Sequence, residues 1–221
     1  MPTALVTGAS AGLGRALAAA LVSRKWTVIG DGRDAAALGS AAHEIGFTAV
    51  PGDVTDPAHR AALADACPSL DLLVNNASSL GVSPLPPLVS YPLADLEDVY
   101  RVNVFAPLAL TQLLLPALSR GAIINVSSDA AVEAYEGWGG YGSAKAALDQ
   151  VTAVLGAENP DLAVYAVDPG DLRTAMHQRA FPGEDISDRP LPSSAVPAFL
   201  RLLDERPPSG RYRAADLLVS A

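Results

Sequence analysis

Tyr141 and Lys145 stand four residues apart in the segment Tyr141-Gly-Ser-Ala-Lys145. If that segment opens a helix, the spacing places phenol and ammonium on one face. A cation beside a phenol favours the phenolate and draws its pKa toward the working range of an acid–base catalyst. Ser128 lies thirteen residues earlier, at the end of an apolar run. Its hydroxyl could hold the oxygen that Tyr141 would protonate. Asn103 enters through the backbone, because Pro107 has no N–H to offer its carbonyl. The helix should bend there, and the freed carbonyl could hold a water that passes protons toward Lys145. A Tyr-x-x-x-Lys pair is common by chance; its position in the chain gives it weight.

The second chemical stretch is Leu5-Val6-Thr7-Gly8-Ala9-Ser10-Ala11-Gly12-Leu13-Gly14-Arg15. An apolar run feeds a glycine-rich turn, and the turn opens a helical pattern near Leu13. Gly8, Gly12 and Gly14 let the chain turn sharply and leave the ligand side open. The helix then points free N–H groups and its positive dipole end at that space, which suits a phosphate or pyrophosphate. The glycine spacing differs from the G-x-G-x-x-G dinucleotide fingerprint.

These residues need a sheet to bring them together. Strands are expected at Ala4–Thr7, Thr27–Asp31, Thr48–Pro51, Leu70–Val74, Ala122–Ser127 and Leu162–Asp168. Helical patterns fall between them at Leu13–Ser23, Ala35–Ile45, Pro57–Ala66, Leu93–Leu118 and Tyr141–Leu155. Strands such as Ile123-Ile124-Asn125-Val126 are apolar on both faces, as central parallel strands are. The expected architecture is a single-domain α/β doubly wound parallel sheet, with ligands at the carboxyl ends of its strands. Each of those ends carries Gly, Asp, Asn or Ser. Residues 171–208 read as a lid or a surface connection; within them Phe181–Pro208 is proline-rich, with a helix only around Ser194–Leu203. Arg211–Leu218 reads as a last edge strand.

Composition narrows the function. A chain of 221 residues suits one domain. Net charge −9 with scattered basic residues argues against nucleic acid. Cys67 is the only cysteine, which rules out an intrachain disulfide or thiolate metal cluster. No metal is expected. Ala16–Val22 is apolar but lacks a basic flank, so no secretory leader is read and a cytoplasmic location is expected. Phe105–Leu118 spans 14 residues with two prolines, too short for a bilayer. His43 and His59 read as solvated helix residues, while His177, Tyr135 and Trp138 are candidates to line a pocket.

Taken together, these residues resemble the short-chain dehydrogenase/reductase family. The resemblance runs from about Thr3 to Met176. It rests on Thr7-Gly8-x-x-x-Gly12-x-Gly14, Asp53-Val54, Asn75-Asn76-Ala77, Asn103, Ser128, Tyr141-x-x-x-Lys145 and Pro169-Gly170. It implies a Rossmann fold, a nicotinamide dinucleotide and hydride transfer between an alcohol and a carbonyl. Tyr141 would be the general acid/base and Ser128 would orient the carbonyl. Lys145 would lower the tyrosine pKa and hold the nicotinamide ribose, and Asn103 would support a water relay. Gly8, Ser10, Gly12, Leu13 and Gly14 would wrap the cofactor, with Asn76 and Ala77 beside them. Asp53 and Val54 would meet the adenine, and the segment from Pro169 and Gly170 to Thr174 the nicotinamide. Three departures stand out. Ser78 follows Asn-Asn-Ala where the family usually has glycine, Asp168 precedes Pro-Gly where asparagine is common, and the chain is short. The last suggests an open pocket, or one completed by a neighbouring subunit.

The cofactor is expected to be NADP(H), with NAD(H) the alternative. Asp31 lies 19 residues after Gly12, near the spacing of a ribose-binding acid. The family pattern instead sets Gly32 at the acidic position and Arg33 at the basic one, where it would meet a 2′-phosphate. The expected reaction is NADP(H)-dependent oxidoreduction of a small carbonyl or secondary alcohol. The rivals are a dinucleotide-binding sensor of the same fold and a pure interaction protein. The apolar stretch Leu93–Leu118 suggests a homodimer or homotetramer, which the resemblance also favours.

Overall fold

A computed structural model describes residues 1–118 and 120–219. Among the described residues, seven parallel strands form one sheet in the order β3-β2-β1-β4-β5-β6-β7. They are β1 Thr3–Val6, β2 Thr27–Gly32, β3 Thr48–Pro51, β4 Leu72–Asn75, β5 Ala122–Val126, β6 Ala163–Asp168 and β7 Gly210–Arg213. The chain reverses direction across the sheet between β1 and β4, which opens a crevice at their carboxyl ends.

Period-two burial explains both faces. Val6, Val74, Ile124 and Tyr165 pack on one side with Leu17 and Leu21 of helix α1 (Gly12–Ser23). The same layer takes Phe199 and Leu202 of α8 (Val196–Glu205). Leu5, Leu73, Ile123 and Val164 face the other way, onto Leu63 of α3 (Pro57–Ala66). Leu110 and Leu114 of α5 (Ala106–Leu114) complete that layer. Helix α2 (Ala35–Ile45) is capped by Asp34, whose carboxylate accepts from the Ala36 and Ala37 amides, and ends at left-handed Gly46.

Three expectations change. The stretch Leu93–Leu118 is not one helix but α4 (Leu93–Tyr100), a π turn over Arg101–Phe105, and α5. Pro107 removes one i→i−4 donor, and the ladder shifts so that the Ala106 amide bonds the Arg101 carbonyl. Arg211–Leu218 is half strand: β7 stops at Arg213 and α9 (Ala214–Val219) follows. Of residues 171–208, only the part around α7 (Ala175–Ala180) borders the central cleft. Helix α8 is core, with Ala198, Phe199 and Leu202 buried.

Candidate active site

The carboxyl ends of β1, β4, β5 and β6 surround a cavity of about 590 Å³. Gly8, Gly12 and Leu13 form one wall, with Asn76 and Ala77 beside them. Ser128, Tyr141 and Lys145 form the floor, and Pro169, Gly170 and Thr174 the far side. Ser10, Arg33, Asp53 and Val54 line a smaller cavity of about 160 Å³. Gly8, Ala77 and Ser78 border both spaces. Gly14 and Asn103 line neither.

The glycine turn is held from below. The Asn76 and Ala77 amides donate to Thr7 Oγ1 at 2.9 Å each, and Asn76 Nδ2 donates to the Thr7 carbonyl at 2.8 Å. Gly8 and Gly12 have φ of +67° and +55°, a region that disfavours a Cβ. Gly14 serves packing: a Cβ there would lie 2.3 Å from the Gly8 carbonyl oxygen. The N-cap Ala11 contributes no side-chain bond to α1, and the first turn holds no acidic residue. An open cradle backed by a helix N-terminus fits the diphosphate of a dinucleotide.

Helix α6 (Gly139–Glu158) carries Tyr141 and Lys145. Gly142 lets the helix seat itself, since a Cβ there would lie 2.5 Å from the Ala130 carbonyl oxygen. Lys145 Nζ donates to the Val126 carbonyl at 2.7 Å and sits 5.5 Å from the Tyr141 ring centroid. The Ser78 and Ser128 hydroxyls lie beside the Tyr141 phenol and favour its ionised form. Ser128 Oγ also donates to Asp129 Oδ1 at 3.0 Å and accepts from the Ala130 amide.

The electrostatics depart from expectation. Burial pushes Tyr141 up to about 12, against the pull of the Ser78 and Ser128 hydroxyls. Burial also pushes Lys145 down to about 8, with Asp149 opposing. Both groups lie in one desolvated site, where burial is the largest influence on each and disfavours phenolate and ammonium alike. At pH 7 the phenol is protonated and the ammonium charged.

Asn103 is fully buried and acts through its side chain. Oδ1 accepts from Ser78 Oγ at 2.8 Å and from the Ser79 amide at 2.9 Å, while Nδ2 donates to the Ser79 carbonyl at 2.7 Å. It clamps the segment after β4. His59 is a correction: it is buried, with Nε2 3.2 Å from Asp31 Oδ2. His43 is exposed.

Two further residues bear on the site. Arg211 donates from Nη2 to the Ser128 carbonyl at 2.9 Å and pairs with Asp149 at 2.9 Å and Asp168 at 3.3 Å. This accounts for aspartate before Pro169. Asp149 sits one turn after Lys145 on α6, a spacing legible in the sequence. Arg211 comes from an edge strand far along the chain. Among the described residues, no group of three His, Cys, Asp or Glu side chains could hold a metal. No helix among them is long and apolar enough to cross a membrane.

Comparison with known proteins agrees with this geometry. A model of the short chain dehydrogenase family matches residues 2–185. The chain is 38% identical over 184 residues to serine 3-dehydrogenase of Agrobacterium fabrum (strain C58), covering 78% of this chain and 72% of that one. It is 34% identical over 206 residues to sepiapterin reductase of Bos taurus, covering 80% and 74%. A short chain dehydrogenase of Shigella flexneri 2a, solved in complex with NADP, superposes with a TM-score of 0.88 at 30% identity, covering 97% of each chain. Fold, glycine turn and sequence agree over most of the length, and the chain belongs to the short chain dehydrogenase family.

Proposed function

We propose that this protein interconverts a small carbonyl compound and its secondary alcohol using NADP(H). The observation that carries the reading is the meeting of Tyr141, Ser128 and Lys145 on the floor of a cleft whose wall is an open glycine turn. The bound dinucleotide supplies or accepts the hydride. Gly8, Gly12, Leu13 and Gly14 shape its cradle, with Asn76 and Ala77 bracing it, and Pro169, Gly170 and Thr174 flank its reactive end. Ser10, Arg33, Asp53 and Val54 form the adenosine end.

In the reducing direction, Ser128 Oγ orients the substrate oxygen and the Tyr141 phenol gives it a proton. A phenol held near pKa 12 is a donor at every working pH. Charged Lys145 offsets the phenolate left behind and holds ribose hydroxyls. Asn103 fixes Ser78 and Ser79, so the phenol keeps its neighbours in place. In the oxidising direction the same groups act in reverse. A sensor without chemistry is not favoured, since it would not need a buried phenol with two hydroxyl partners.

NADP(H) rests on Arg33 and on the NADP bound by the similar Shigella protein. Against partial burial, the Thr55 amide and hydroxyl hold the Asp53 carboxyl below its usual range, with smaller help from the Arg33 guanidinium and His59. The relatives' names give different substrates, serine and sepiapterin. The substrate class is therefore kept to carbonyl and alcohol. The deciding experiment follows NADPH consumption over a panel of ketones and aldehydes, with Kd for NADPH and NADH measured by cofactor fluorescence. Arg33→Ala should weaken NADPH by about 10- to 150-fold relative to NADH, the range of one charge-assisted hydrogen bond. Tighter NADH binding in the wild type, or an unchanged ratio in the variant, would refute the choice of cofactor.

A further inference from the structure

The adenosine end of the cleft contains a buried acid that the reading above leaves unused. Asp31 is 1% exposed at the end of β2, beside Gly32 and Arg33 in the smaller cavity. Its Oδ1 accepts from the Gly8 amide at 2.7 Å, so it braces the glycine turn. Its Oδ2 faces His59 Nε2 at 3.2 Å. His59 reaches it from the first turn of α3 across Gly52. Only glycine permits that path, because a Cβ on Gly52 would lie 2.2 Å from His59 Nδ1.

A carboxylate here poses a problem for a phosphorylated cofactor. A 2′-phosphate on Arg33 would share a 160 Å³ space with Asp31 and Asp53. Water is scarce around Asp31, and poorly screened like charges repel strongly. The charged groups acting on His59 are Asp31 of β2 and Asp53 after β3, with Arg33 next to Asp53. Arg60, its neighbour on α3, turns away to the Val54 carbonyl at 2.7 Å. Burial raises the Asp31 carboxyl, and the Gly8 amide and His59 lower it. A proton shared between Oδ2 and Nε2 across this contact leaves the pair without net charge, whereas without it the full carboxylate charge stands.

We propose that His59 is a specificity-determining residue for the cofactor: by sharing a proton with Asp31, it removes the negative charge that would otherwise oppose a 2′-phosphate on Arg33. It acts through Asp31 and touches no ligand itself. The proposal rests on the assignment of Arg33 to the phosphate.

The test needs no substrate. Kd for NADPH and NADH is measured by cofactor fluorescence for wild type, His59→Gln, Asp31→Asn and the double variant. The working range is pH 7 to 9, where a phosphate monoester with second pKa about 6 is fully ionised. Glutamine keeps a hydrogen bond to Asp31 but holds no charge. His59→Gln should weaken NADPH by about tenfold and leave NADH nearly unchanged, the scale of one poorly screened charge. The double variant should recover NADPH binding, since asparagine still accepts from Gly8. In the wild type the NADPH/NADH preference should fall as pH rises and the pair loses its proton. Asp31→Asn should abolish that dependence while keeping the preference.

Equal weakening of both cofactors in His59→Gln would mean a structural role only and overturns the proposal. So does an unchanged ratio, or a double variant that is not rescued. Asp31→Asn carries the pH test by itself if His59→Gln does not fold. A ratio that ignores Arg33→Ala refutes the phosphate assignment; a ratio that depends on Arg33 but ignores His59 refutes this proposal alone.

Discussion

Lys145 approaches the face of the Tyr141 ring, with Nζ 5.5 Å from its centroid, while its ammonium donates a hydrogen bond to the Val126 carbonyl at 2.7 Å. The two groups share a buried site in which the phenol is harder to ionise and the ammonium easier to neutralise. Tyr141→Phe keeps the ring against Trp138, whose centroid lies 5.8 Å away, and removes only the hydroxyl. Carbonyl reduction should fall by about 10²- to 10⁴-fold, the usual worth of a positioned acid. NADPH binding, followed by fluorescence, should hold. Near-full activity in this variant would refute the assignment of Tyr141.

The pH profile follows from Lys145. Its pKa is pushed down to about 8, so charge is present below that pH and lost as pH rises through it. Tyr141, pushed up to about 12, stays protonated throughout. Reduction, measured as kcat/KM, should be level from pH 6 to 7 and decline on a single limb near pH 8. Lys145→Arg, with a side chain charged at any working pH, should remove that limb. A profile that rises through pH 8 would contradict the role given to the ammonium.

How much of this was legible depends on whether the cause is local. Helices α2 and α3 have the bounds read from sequence, because Asp34, Asp56, Pro57 and Gly46 are signals within a residue or two of each end. The strands were legible as apolar runs closed by Gly, Asp, Asn or Ser, and the ligand side of the sheet follows from those carboxyl ends. The break at Arg101–Phe105 was half visible: Pro107 announced a missing donor but not its repair by a π turn. His59 was misread because its segment Ala-His-Arg-Ala looks solvated. Its burial depends on Gly52 and Asp31, residues on other elements. The raised phenol pKa was likewise out of reach, since it depends on how deeply α6 is buried.

Self-association is expected from the faces of α4, α5 and α6. Val99, Val104 and Ala144 knit these elements together from inside. Outside, Phe105 is 58% exposed, and Leu113 and Val154 are also exposed. Exposed apolar groups of this size on neighbouring elements suit a contact with a second copy. Light scattering at micromolar concentration should report a dimer or tetramer. Phe105→Glu with Val154→Glu should shift it toward monomer. A wild-type monomer would rule the interface out.

Ser78 is the departure from the family pattern with the sharpest consequence. Its Oγ donates to Asn103 Oδ1 at 2.8 Å, so its lone pairs are left to the Tyr141 phenol. Once the phenol has given up its proton, Ser78 can turn its own hydrogen from Asn103 to the phenolate. Asn103 Oδ1 meanwhile keeps the Ser79 amide at 2.9 Å. Ser78→Ala removes this partner with little backbone effect, and Ser78→Gly does so with added chain freedom. Both should lower kcat by about fivefold, corresponding to one net hydrogen bond of about 1 kcal/mol. In alcohol oxidation, where the phenolate is the active form and the Ser78 hydroxyl lowers the phenol's pKa, kcat at a fixed pH should fall in both variants. Ser78→Thr, which keeps the hydroxyl, should restore it. Unchanged oxidation in Ser78→Ala would show that Ser78 merely shapes the loop.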